Sequence, residues 1–109
     1  MKAQGREERR KVAKINEMKL QMPSLSVNES MARAAVAAFC AQLDPAATEL
    51  ADIKCAVSEA VTNSIVHGYR DTVGILYITV RLYEDRTVRI EIKDRGCGIE
   101  NVSMARQPL

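Results

Sequence analysis

Apolar residues fall on every second position in three separate stretches of the chain. From Ile15 to Met22, Met18, Leu20 and Met22 lie on one side and Lys19 and Gln21 on the other, which predicts a half-buried strand ended by Pro23. Gly74 to Tyr83 alternates through Leu76, Ile78, Val80 and Leu82, and Thr87 to Lys93 through Val88, Ile90 and Ile92. The short connection Glu84-Asp85-Arg86 makes this pair an antiparallel hairpin. Between the first strand and the hairpin the period becomes helical. Ser26-Val27-Asn28-Glu29 has the S-x-x-E capping-box form and predicts a helix from near Asn28 to about Leu43. Asp44-Pro45 breaks the chain and can open a second helix, with Asp44 as N-cap and Pro45 at the first helical position. That helix is expected to reach His67 and stop at Gly68, with Leu50, Ile53, Val57, Val61 and Ser64 as its core stripe. Arg70 to Val73 reads as a loop, and Glu100 to Arg106 as a helical turn. The order β-α-α-β-β predicts an α+β fold: a two-layer sandwich with helices on one face of a mixed or antiparallel sheet. Three strands are few for two helices of this length, so the layer reads as incomplete at the C-terminus.

The length of 109 residues allows one compact domain. Its net charge of +2 is unevenly spread. Lys2, Arg6, Arg9, Arg10, Lys11 and Lys14 against Glu7 and Glu8 give residues 1–14 a net +4 and leave −2 for the rest. A nucleic-acid-binding arm is one reading of this segment; the composition favours a disordered leader before a domain over residues 15–109. The body carries no basic stripe. Trp is absent and Phe39 is the only phenylalanine, so stacking of bases on aromatic rings is poorly supported. No apolar run approaches a membrane span and Met1 to Lys14 lacks the apolar centre of a secretory signal. Cys40, Cys55 and Cys97 are odd in number and lack metal-ligand spacing, as expected for free thiols in a reducing cytosol. These features point to a cytoplasmic protein that contacts neither nucleic acid nor membrane directly.

Two short segments carry candidate chemistry. In Ser58-Glu59-Ala60-Val61-Thr62-Asn63-Ser64-Ile65-Val66-His67-Gly68, a carboxylate, a carboxamide and an imidazole stand at i, i+4 and i+8. On an α-helix this spacing puts them on one face, about 5–6 Å apart per turn, and about 200° away from the core stripe at ~100° per residue. Asp94-Arg95-Gly96-Cys97-Gly98-Ile99 follows a strand with an acid and two glycines, which let the backbone turn and approach a ligand closely. A carboxamide oxygen such as that of Asn63 suits Mg²⁺, which takes few protein oxygens and completes its shell with water and phosphate. Glu59 can take a proton from an attacking hydroxyl. Asp94 can accept a hydrogen bond from the exocyclic amine of adenine, and Gly96 and Gly98 leave room for the ring and sugar. Each feature also has a plainer reading. Glu59 and Asn63 alone suit a solvated helix face, Asp94-x-Gly-x-Gly a strand-end turn, His67 a C-terminal helix cap and Cys97 a tolerated small residue.

Taken together in this order, the segments resemble the anti-sigma F kinase family of spore-forming bacteria, the stage II sporulation protein AB type. These are serine kinases of the ATPase superfamily that includes gyrase B, Hsp90, histidine kinases and MutL. Ser58 to Asn63 with Val66-His67-Gly68-Tyr69 resembles the family's N box, and Asp94 to Ile99 its first glycine box. Met18-Lys19-Leu20, Asn28 to Arg33, Val36 to Phe39, Ala41 to Pro45 and Ala105-Arg106-Gln107-Pro108-Leu109 resemble the same subfamily, so the likeness covers residues 16–109. It implies a histidine-kinase-like ATPase fold, ATP or ADP with Mg²⁺ as cofactors, and phosphorylation of an anti-anti-sigma protein by a chain that also sequesters a sporulation sigma factor of the sigma F type. It implies Glu59 as general base, Asn63 as Mg²⁺ ligand, Asp94 as the adenine contact and Gly96 and Gly98 as pocket walls. Glu29 and Arg33, at i and i+4 on the first helix, would touch the sigma factor and the anti-anti-sigma protein, and a homodimer is implied as well. By the plainer reading, Glu29 and Arg33 form an ordinary intrahelical ion pair. In the family a lid, a second glycine motif opening a phosphate-facing helix and further strands follow Arg-Gln-Pro-Leu. The chain is therefore expected to be C-terminally truncated, with a non-catalytic remnant that binds partners or nucleotide weakly as the alternative to an active kinase.

Overall fold

Four antiparallel strands in the order β1-β2-β3-β4 form one sheet, and two helices cover one of its faces. The computed structural model describes residues 12–68, 73–94 and 98–105, the last eight and residues 67 and 68 by backbone alone. The basic leader up to Lys11, the segment 69–72, the Arg95–Cys97 part of the glycine box and residues 106–109 lie outside the described residues. β1 (Lys14–Pro23) is an edge strand beside β2 (Ile75–Tyr83), which pairs with β3 (Thr87–Asp94), which pairs in turn with β4 (Gly98–Ala105). The expected helical turn at Glu100–Arg106 is therefore replaced by strand from Gly98 to Ala105, and the sheet has four strands among the described residues rather than the three expected. The pairing Asp94↔Gly98 supplies the reason: the backbone folds back on β3, whose outer edge holds ladder donors and acceptors that a helical turn would leave unmet.

Side chains divide the sheet by the period of two. Leu76, Ile78, Val80 and Leu82 of β2 and Val88, Ile90 and Ile92 of β3 are buried on the helix side, where Met18, Leu20 and Met22 of β1 join them. The register aligns these rows, with Met18↔Val80↔Ile90 and Leu20↔Ile78↔Ile92. The other face is polar and open. There Arg81 reaches Glu17 at 3.0 Å and Glu91 at 3.4 Å, and the Lys93 ammonium stands 6.0 Å from the Tyr77 ring centre. A hydrogen bond from Lys14 holds the Glu17 carboxyl below the usual range, and the charges of Lys19 and Arg81 act in the same sense.

The first helix, α1 (Asn28–Cys40), starts where the sequence places it, although the capping box does not form. No side chain caps its N-terminus; instead the backbone N–H groups of Asn28 and Glu29 donate to the carbonyls of Leu25 and Ser26. The Asn28 carboxamide donates to the carbonyl of Pro23, tying the helix start to the end of β1. Ala41–Leu43 tightens into a 3₁₀ turn. Asp44 then takes φ 55° and closes that turn, so it does not serve as N-cap of the next helix. The second helix, α2 (Ala47–Asn63), begins two residues later than expected, with the N–H of Ala46 donating to the Glu49 carboxylate at 2.8 Å. Its inward residues are Ile53, Val57, Ala60 and Val61, while Leu50 is only half-buried.

The α-helical hydrogen bonding ends at Asn63, and Ser64–Gly68 continues as one π turn. The three-position row at Glu59, Asn63 and His67 therefore stops after two members, because the wider π turn breaks the 3.6-residue period. Gly68 remains the last residue of the helical segment.

The hairpin loop Glu84-Asp85-Arg86 turns through a Tyr83 carbonyl to Arg86 N–H bond of 2.9 Å, with Arg86 at φ 73°. This left-handed third position ordinarily favours glycine. Here the Arg86 guanidinium donates to the carbonyls of Leu43 and Asp44, the end of the 3₁₀ turn between the helices. The N–H of Thr87 donates to the Asp85 carboxylate, which lowers the carboxyl's proton affinity along with the Thr87 side-chain hydrogen bond.

Ile90→Ala, at a fully buried position of β3, is expected to cost about 2–5 kcal/mol in urea unfolding. Ile15→Ala, at a 55% exposed position of the edge strand, is expected to stay within about 0.5 kcal/mol. Equal losses at the two positions would show that the helix-side rows are not the core.

Candidate functional site

Burial of Ile53, Val57, Ala60 and Val61 against the sheet leaves the other side of α2 to solvent, and that side carries Glu59, Thr62 and Asn63. A shallow groove of about 290 Å³ runs along it, lined by Glu29 of α1 and by Cys55, Ser58, Glu59, Thr62 and Asn63 of α2. Two of the expected site residues of the second helix thus share one groove with one of the expected partner contacts of the first. A larger hollow of about 540 Å³ lies on the opposite, open face of the sheet, between Lys19, Gln21, Tyr77, Thr79, Glu91 and Lys93. It shares no lining residue with the Glu59–Asn63 groove; its Glu91 pairs with Arg81 and its Lys93 stands over the Tyr77 ring.

Arg33 links the walls of the groove. Its Nη1 donates to Ser58 Oγ at 3.0 Å across the helix pair and lies 3.9 Å from the Glu29 carboxylate on its own helix. The ion pair is half-exposed and of the i, i+4 kind, worth about 0.3–0.5 kcal/mol. The bond to Ser58 is the contact that joins α1 to the residue preceding Glu59.

Asp94 ends β3 on the helix side of the sheet, opposite Leu76 in the register, and is 8% exposed. A carboxylate placed among Leu76 and Ile92 is a departure from the apolar rows that otherwise fill this face. It is not among the residues lining the Glu59–Asn63 groove. Gly98 is seen as backbone, paired with Asp94, while Gly96 lies outside the described residues. Among the described residues no group of three or more His, Cys, Asp and Glu side chains is placed to hold a metal ion. A cation at Asn63 would accordingly take most of its oxygens from water and phosphate. Cys55 and Ser58 line the groove as well, each one turn before Glu59 and Thr62 respectively; the sequence analysis gave neither a binding role. No helix among the described residues is long and apolar enough to cross a membrane.

Residues 22–109 match the family model described as the histidine kinase-like ATPase domain. The chain is 60% identical over 95 residues to the anti-sigma F factor of Anoxybacillus flavithermus, a stretch that covers 86% of this chain and 64% of that protein. Its identity to the anti-sigma F factor of Priestia megaterium is 55% over 95 residues, covering 65% of that protein. For the anti-sigma F factor of a Geobacillus species it is 60% over 95 residues, covering 64%. The chain therefore spans a little under two thirds of the length of these curated relatives.

The groove makes a prediction about thiols. Cys55 is exposed, whereas burial pushes the Cys40 thiol up to about 11. In a pulse of iodoacetamide at pH 8, buried Cys40 should alkylate at least about a hundredfold more slowly than exposed Cys55, since thiolate is the reacting form and burial disfavours it at Cys40. Site-resolved mass spectrometry reads both rates; similar rates would mean that the helix–sheet layer is open to solvent.

Proposed function

The chain belongs to the histidine kinase-like ATPase family, and from that premise we propose that it is an anti-sigma factor and ATP-dependent protein serine kinase. In this reading it sequesters a sporulation sigma factor of the sigma F type, phosphorylates that factor's anti-anti-sigma antagonist, and acts as a cytoplasmic homodimer. The observation that carries the proposal is the shared groove. Glu59 and Asn63 stand one turn apart on its α2 wall, and Glu29 faces them from α1. The anti-sigma F relatives add the sequence context.

Each residue has a role that suits its placement. Mg²⁺·ATP, when bound, supplies the transferable phosphoryl group and the neutralising charge. Asn63 offers the cation one carboxamide oxygen from an exposed position. Asp94 offers a fixed carboxylate at the end of a core strand to the amine of adenine, with the Gly98 backbone paired beside it; a pocket role for Gly96 rests on the family resemblance alone. Glu59 takes the proton of the acceptor serine as its oxygen attacks. Its exposure leaves the carboxylate within reach of a second protein, as phosphorylation of a protein substrate requires. Glu29 and Arg33 meet that partner at the edge of the same groove, and the sigma factor on the same helix.

Two measurements test this. With radiolabelled ATP and the anti-anti-sigma protein as acceptor, Glu59→Gln should keep nucleotide and acceptor binding while transfer falls by about 10²–10⁴. Undiminished transfer would remove Glu59 as the base. No transfer by the unsubstituted protein would reduce the proposal to binding alone. Calorimetry with ADP should show Asp94→Asn weakening nucleotide binding by about 1.5–3 kcal/mol, the worth of a hydrogen bond to a charged group. Equal affinities would take Asp94 out of the adenine role.

A further inference from the structure

Ser58 stands next to the proposed base in sequence, lines the groove with it, and among the described residues accepts a cross-helix hydrogen bond from Arg33 Nη1 at 3.0 Å. A guanidinium can only donate, so Ser58 Oγ is the acceptor in that bond and its own O–H remains to be given away. In a helix with no ligand beside it, such a hydroxyl turns back to a carbonyl of the preceding turn. A peptide carbonyl lying in the groove offers it an alternative of the same strength. Arg33 fixes the oxygen's position, so the O–H swings about one anchored point rather than sampling free rotamers.

From this geometry we infer that Ser58 is a binding residue for the main chain of the acceptor segment, and that Arg33 is its positioning residue. The inference rests on the kinase reading above and names the part of the site that holds the protein substrate. A segment whose carbonyl meets Ser58 lies along α2 and places its next side chains toward Glu59 and Thr62, which occupy the following positions on the same wall. One guanidinium nitrogen is used on Ser58; the remaining N–H groups of Arg33 stay available to the partner, so the two roles given to this residue are compatible.

The test compares Ser58→Ala, Ser58→Thr, Arg33→Ala and the double variant Ser58→Ala/Arg33→Ala, each assayed for acceptor affinity by calorimetry, acceptor KM, kcat and ADP affinity. Ser58→Ala should weaken acceptor binding about five- to tenfold, the size of one neutral hydrogen bond, with kcat at saturating acceptor and ADP affinity within about twofold. Ser58→Thr, which keeps a hydroxyl, should restore most of the loss. In the Arg33→Ala background the effect of Ser58→Ala should shrink below about twofold, because the two act as one unit. Unchanged acceptor affinity in Ser58→Ala, or fully additive losses, would overturn the inference. So would parallel falls in ADP affinity and melting temperature, which would mark the pair as a structural tie between the helices. Absence of transfer in the unsubstituted protein would sink the kinase reading alone, since acceptor affinity is read without turnover and still decides the role of Ser58.

Discussion

The packing of α2 on the helix side of the sheet is the constraint on which the rest depends. Ile53, Val57, Ala60 and Val61 must meet the rows of Leu76, Ile78, Val80, Ile90 and Ile92, and this orientation is set by the area of apolar surface removed from water. A helix so oriented has no freedom left in the placement of its other residues. Glu59 and Asn63 are carried to the groove by the same rotation that buries Val57 and Val61. These two residues need no dedicated scaffold, since their direction follows from the core.

That dependence explains what could be read from the chain. The strand pairs were legible because the two-residue period of β2 and β3 is unbroken and the connecting loop is short. Ile53, Val57 and Val61 were legible for the corresponding helical reason, and with them the outward placement of Glu59 and Asn63. The features that escaped are those in which backbone geometry decides between equally good local signals. Asp44 is as fit to close a 3₁₀ turn as to open a helix, and only the position of Arg86, more than forty residues on, favours the first. Ser26 and Glu29 fit a capping box, but the Glu29 N–H that the Ser26 hydroxyl would serve already donates to the Ser26 carbonyl. The π turn at Ser64–Gly68 has no composition signature at all, and it removed His67 from a row that spacing alone had assigned to it. Strand β4 escaped because its residues show no alternation and its pairing comes from the open edge of β3. The Arg33–Ser58 bond escaped because it joins two helices at positions 25 residues apart, a relation invisible to any local window.

The two faces of the sheet divide the labour between cohesion and solubility. The helix side is apolar except at its end, where Asp94 interrupts the pattern close to the glycine-bearing segment. The open face keeps its charges in cross-strand arrays around Arg81, which cover the sheet without requiring a second apolar layer.

The contact made by Arg86 also has a kinetic meaning. The carbonyls that end the connection between α1 and α2 are held by a side chain from the tip of the β2–β3 hairpin. Each helix can form by itself on a submicrosecond scale and the hairpin within microseconds, yet the connection between the helices reaches its final form only after the hairpin has closed and docked. The loop that must be closed for that single event spans the whole of α2, so its entropy is lost before the contact returns anything. The Arg86 contact is thus a late step in folding: the turn between the helices takes its final form only once the hairpin beneath it exists.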